Sequence, residues 1–219
     1  MAEQGRPTVS WENDTGDAPT SLDEHAQKTA ERRLLAQIHE AERTGTDELA
    51  LADGFYNLAI LRRQQGEFAE AERLYRKALD IRERKEGPND PDVATTLNNL
   101  AGLLASQGDY EAAQPILERA LSIRRTALGD THVLTAESMS NLALLYAAQG
   151  NTAAAEPLYE QAIAILEKSD GPRQGELDRV LDNYAALLHE TGRDAEAGGL
   201  EARARLIRAA AEQQTGTTH

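Results

Sequence analysis

The chain has 219 residues, with 37 acidic against 23 basic side chains and a formal net charge of −14 at neutral pH. That balance repels polyphosphate and anionic lipid, which disfavours nucleic-acid and membrane-surface binding and favours a protein partner with a basic surface. The absence of cysteine removes disulfides, thiol nucleophiles and cysteine zinc sites, and aromatics at 4% are too few for a base-stacking platform.

Residues 1–20 are rich in Gly, Pro, Thr, Asn and Asp and carry four acids against one Arg. They hold too little apolar surface to offset the entropy of ordering, so they read as a flexible acidic arm with a lone Trp11. No apolar stretch there resembles a signal-peptide core. The longest strongly apolar run, Leu142 to Ala148, falls far short of the roughly 20 residues that a spanning helix needs. A soluble, cytoplasmic protein is expected. Residues 21–45 read as an N-terminal capping helix, with Leu34, Leu35 and Ile38 as an apolar patch and Ser21 and Glu24 in a capping-box arrangement.

From residue 46 to 212 the chain repeats itself. Gly66, Gly108, Gly150 and Gly192 stand 42 residues apart, and Ala71, Ala113, Ala155 and Ala197 keep the same spacing. So do Ala78, Ala120, Ala162 and Ala204, and so do Asn57, Asn99, Asn141 and Asn183. Gly87, Gly129 and Gly171 mark a second break in the first three units. Ala, Leu, Glu, Arg and Gln fill the intervals, which are good helix formers. Each unit therefore reads as helix, tight turn, helix, loop. In the second unit Leu97, Leu100, Ala101 and Leu104 form one helical stripe and Ala113, Ile116, Leu117 and Ala120 another. One hairpin buries only part of such a surface, so neighbouring units must stack to bury the rest.

The fourth unit departs from the pattern. Glu201 stands where Tyr75, Leu117 and Tyr159 stand, Asp194 where Phe68 and Tyr110 stand, and Arg205 where Leu79, Leu121 and Ile163 stand. Charges on an outer face suit a terminal, degenerate capping repeat. Residues 213–219 read as a frayed tail.

The 42-residue unit, with Leu97-Asn98-Asn99-Leu100-Ala101, Gln107-Gly108-Asp109-Tyr110 and Ala120-Leu121-Ser122-Ile123-Arg124, resembles the tetratricopeptide repeat in its kinesin-light-chain-like form. The resemblance implies an all-α fold, a right-handed α-solenoid of four helix-turn-helix units behind the N-terminal capping helix. It also implies a concave groove lined by the first helices that binds an extended peptide or partner segment. The residues it places there include Asn57 and Arg63 in the first unit and Thr95, Asn98 and Asn99 in the second. Ser140, Asn141 and Leu144 follow in the third, and Asn183 in the fourth. Small residues such as Gly102 leave room in the middle for a bulky ligand side chain.

Asparagine is mediocre in a helix interior, so four in one register need a compensating role. A side-chain amide offers two donors and an acceptor, which suits it to clamping peptide groups irrespective of sequence. It suits bonding to the neighbouring repeat equally well, and the sequence leaves the two roles open. The segment around Trp11, flanked by acids, loosely resembles the short peptides that kinesin-light-chain repeats receive, so the arm could occupy its own groove or that of a second copy.

Catalytic signatures are missing. The five histidines, His25, His39, His132, His189 and His219, fall in no metal-ligand spacing, and neither a phosphate loop nor a nucleophile elbow occurs. No cofactor and no metal are expected. The basic runs Arg82 to Lys85 and Arg124-Arg125 close their helices, where cations complement exposed carbonyls. The expected function is a non-catalytic interaction module, monomer or weak homodimer. A self-assembling scaffold and an accessory subunit of an enzyme are the alternatives. The Ala- and Arg-rich usage points to a GC-rich bacterial genome.

Overall fold

The computed structural model describes residues 21–45, 47–169 and 174–215, so the Trp11 arm and the last residues of the tail lie outside it. The described residues hold nine α-helices and no strand: α1 (Ser21–Thr44), α2 (Glu48–Gln64), α3 (Phe68–Lys85), α4 (Pro91–Ser106), α5 (Tyr110–Leu128), α6 (Val133–Ala148), α7 (Thr152–Leu166), α8 (Gln174–Glu190) and α9 (Asp194–Thr215). The side chains of Ser21 and Glu24 are outside the description.

Each hairpin turns in the same way. Gly66, Gly108, Gly150 and Gly192 take φ of +77°, +83°, +75° and +75°, a left-handed backbone that glycine adopts without steric cost. The residue after each donates its amide back to the carbonyl five positions earlier: Glu67 to Arg62 at 2.8 Å, Asp109 to Leu104 at 3.0 Å, Asn151 to Tyr146 at 2.8 Å and Arg193 to Leu188 at 2.9 Å. This closure satisfies carbonyls that a helix end leaves open. The following helix starts at once. Asp109 caps it through the Ala112 amide at 3.1 Å, and Asn151 through that of Ala154 at 3.3 Å.

The repeated alanines form the contact surface. Ala71, Ala113, Ala155 and Ala197, with Ala78, Ala120, Ala162 and Ala204, are all fully buried. Side chains this small let helices sit together without a large group between them. Tyr75, Leu117 and Tyr159 fill the bulky position and are fully buried too, whereas Glu201 is only partly so.

The chain forms two compact units that divide between Ile123 and Arg124, within α5. In the first, α1 packs on α2, α2 on α3 and α3 on α4, and Val93, Ala94, Leu97, Ala120 and Ile123 make a cluster flanked by Leu79 and Ile116. In the second, α6 packs on α7, α7 on α8, α8 on α9 and α6 on α8.

Two arginines do more than complement a helix end. Arg82 is buried on α3 and reaches forward to α4, where it donates to the Asp92 carbonyl at 3.1 Å and the Thr96 hydroxyl at 2.8 Å. Its other arm donates back to Asp53 on α2 at 2.6 Å. In the second unit Arg124 is buried and makes the corresponding contacts with the Leu134 carbonyl at 2.7 Å and the Ser138 hydroxyl at 3.0 Å, plus Glu137 at 3.1 Å. The next position in this register is Leu166, and the residue that corresponds to Thr96 and Ser138 is Val180; both are buried. Arginine and hydroxyl disappear together, so neither is left without the other.

Candidate functional site

In the first unit the predicted face lies on α2 and α4. Asn57 and Asp53 are exposed, and Arg63, Thr95 and Asn99 are half-buried. Asn98 is buried and not presented to solvent. The Asn99 amide nitrogen donates to the Tyr56 hydroxyl at 2.9 Å and to the Thr95 carbonyl at 3.0 Å. Tyr56 is in turn held by the Tyr75 ring, edge-on at 5.8 Å, and by the Arg82 guanidinium at 5.0 Å over its face. One turn beyond Asn99, Gly102 faces open space: a Cβ there would meet no described atom within 4 Å apart from its chain neighbours and its own helix backbone.

In the second unit the equivalent residues lie on α6 and α8. Asn141 and Asn183 are half-buried, while Ser140 and Leu144 are buried, so they do not present their side chains as open groove residues would. The Ser140 hydroxyl and the Asn183 amide nitrogen are buried with no hydrogen-bond partner among the described residues. Asn183 follows Ser140 at the same sequence separation as Asn99 follows Tyr56, and α6 packs on α8. The phenol reaches the amide in the first unit; the shorter serine in the second leaves both groups unpaired. Beside them Tyr159 stacks on Tyr184 at 5.4 Å. The Tyr184 hydroxyl points at Glu156 and Glu160, both at 3.4 Å, and burial followed by these carboxylates pushes its pKa up to about 12.

Two further ionisable groups stand out. His189 on α8 is clamped between two α9 carboxylates, with Asp194 on Nδ1 at 2.7 Å and Glu201 on Nε2 at 3.1 Å. These hydrogen bonds, the Asp194 one first, raise its pKa above the ordinary imidazole value. Two of the three departures of the fourth unit thus meet on one residue. In the first unit Glu86, Asp90 and Asp92 converge, with one oxygen of each within 4.8 Å of the others. Asp90 caps α4 by accepting the Asp92 amide at 2.8 Å, and burial first, then the neighbouring acids, raises the Glu86 carboxyl.

Sequence reasoning missed the inward role of Arg82 and Arg124. The signal was available as an arginine recurring 42 residues on, with a hydroxyl residue 14 positions after each, but the surrounding acids and bases made the runs look solvated. It also missed a pocket between α1 and α2, because pockets between helices depend on crossing geometry that periodicity does not give.

No helix among the described residues is long and apolar enough to cross a membrane. The tetratricopeptide-repeat family model matches residues 48–126 and 92–168. No curated protein matches the sequence. Among solved structures, the fold is similar to that of BtubC (BKLC) from P. vanneervenii, with a TM-score of 0.76 at 24% identity over 90% of this chain and 78% of that one. A putative kinesin light chain from Podosopora anserina with nearly identical TPR-like repeats gives a TM-score of 0.66 at 22% identity over 85% of this chain and 89% of that one. Aspartyl phosphate phosphatase F from Bacillus subtilis gives 0.67 at 17% identity over 90% of this chain and 47% of that one. With its four glycine-closed hairpins and buried alanines in phase, this all-α helical-repeat solenoid belongs to the tetratricopeptide-repeat family.

Proposed function

We propose that the protein is a non-catalytic interaction module that captures an extended partner segment on the exposed side of its first helices. The tetratricopeptide fold is in general a protein–protein interaction module, which supports the coarse reading. The observation that carries the finer one is Gly102. Glycine inside a helix costs roughly 0.5–1 kcal/mol relative to alanine, and nothing in the chain approaches this one closely enough to require it. Space kept clear beside Asn99, Thr95 and Ser106 is useful to a group from outside the chain. Arg63 and Asn57 offer polar contacts farther along the same unit.

A random peptide library displayed on phage and selected against the full chain tests this. Peptides so obtained lose binding to Gly102→Leu, which fills the space, and keep it with Glu118→Leu on the exposed side of α5. Selected peptides that bind both variants as tightly as the parent contradict the reading.

A further inference from the structure

Helix α1 comes close to α2 at one point. A Cβ on Gly54 would lie 2.8 Å from Ile38 Cγ1, so only glycine admits this approach without displacement. Beside it lies a cavity of about 670 Å³ whose walls include Ala50 and Gly54, the Asn57 side chain and three carboxylates, Glu40, Asp47 and Asp53. No lysine or arginine is among its lining residues.

Each of the three acids has a partner. Arg43 grips Glu40 at 2.6 and 3.0 Å, Asp47 accepts the Ala50 amide at 2.9 Å, and Asp53 accepts Arg82 at 2.6 Å. With the two arginine partners counted, one negative charge remains, at Asp47. Asp53 keeps its side chain 63% exposed although Arg82 is only 8% exposed, so the pair turns its acidic end outward. The walls are small, and the carboxylates with the Asn57 carbonyl supply acceptors around a space open to solvent. A guanidinium complements this set: it is planar, carries five N–H donors, stays charged and gives up its hydration more easily than an ammonium.

We infer that this pocket takes an arginine side chain, and that the segment the protein captures is basic where it meets α1 and α2. The inference rests on the proposed capture of an extended segment, since Asn57 belongs to both sites. The overall charge of −14 adds long-range attraction for such a segment.

The test is an NMR titration of the isotope-labelled full chain with acetyl-Gly-Arg-Gly-amide and with its citrulline counterpart, which keeps the shape and loses the charge. The arginine peptide is expected to move the backbone resonances of Ala50, Gly54 and Asn57 at millimolar concentration. The citrulline peptide is expected to bind roughly tenfold more weakly, as loss of a charge-assisted pair entails. Asp47→Asn with Asp53→Asn, in which asparagine retains the capping oxygen of residue 47, abolishes the response. Should the loosened Arg82 unfold that variant in a thermal melt, Asp47→Asn alone weakens the response in the same direction. Equal responses to the two peptides, shifts confined to other residues, or no shift at all overturn the inference. The two readings fail separately. Selected peptides that remain sensitive to Gly102→Leu when this titration fails leave segment capture standing, and an arginine response without Gly102 sensitivity leaves only the pocket.

Discussion

The Asn99 amide donates to the hydroxyl of Tyr56, a residue of the preceding hairpin, at 2.9 Å. A groove amide thus has a donor engaged between repeats. Removing it by Asn99→Ala leaves a half-buried phenol short of a partner and is expected to lower stability by about 0.5–1.5 kcal/mol. A double-mutant cycle with Tyr56→Phe, followed by urea unfolding, should return a coupling of about 1 kcal/mol. Additive single effects would remove the stacking role.

The forward-reaching arginines make a sharper case. Ser138→Val removes one acceptor from the buried Arg124 fork, and Arg124→Leu removes the donor that the Ser138 hydroxyl and the Leu134 carbonyl share. Each is expected to cost about 1–3 kcal/mol. Made together they reproduce the Leu166 and Val180 combination found 42 residues on, so the double variant should be more stable than the sum of the single losses predicts. Denaturant midpoints of the four proteins decide the matter.

Glycine to alanine should act with opposite signs at two neighbouring sites. At Gly102 the backbone is helical and the surroundings open, so Gly102→Ala is expected to stabilise by about 0.5–1 kcal/mol. At Gly108 φ is +83°, so the same change forces a side chain into the left-handed region and destabilises by about 1–2 kcal/mol. Thermal melts of the two variants provide the comparison.

His189 gives the α8–α9 hairpin a pH response. Its pKa is raised in the folded state by Asp194 and then Glu201, above the ordinary value of 6.5. The stabilisation is therefore complete below about pH 6.5 and fades as pH rises through the elevated folded value. His189→Gln keeps hydrogen-bonding groups without the charge, so its melting temperature should fall below that of the parent in acid and converge with it in mild alkali. A gap that widens with rising pH would contradict the clamp.

Much of the fold was legible in the sequence because its determinants are local and periodic. Gly66 and its three counterparts mark turns that only a left-handed residue closes, and Ala71 and Ala78 with their counterparts mark contacts that only a small side chain permits. The site was less legible. The residues on the α2 and α4 face were predicted as a set, but helical register does not separate Asn98, which is buried, from Asn99 beside it, which is not. Nor does it show that Asn99 meets Tyr56, or that Ser140 is too short to make the same contact with Asn183. Those outcomes depend on side-chain reach across a helix interface. Arg82 and Arg124 were read as helix-end cations because charge runs usually are solvated; their burial follows from hydroxyls and carbonyls 10 to 14 residues later in the chain.

The most direct measurement of segment capture is photocrosslinking with benzoylphenylalanine placed singly at position 106 or at position 118, using a phage-selected peptide. The placement at 106 stands at the exposed edge of the α4 face and leaves the space at Gly102 clear, and that at 118 points from the exposed side of α5. Crosslinks to the peptide from 106 and none from 118 are the predicted result. Crosslinks from 118 alone would show that the partner binds the second helices, and the account of the groove would be wrong.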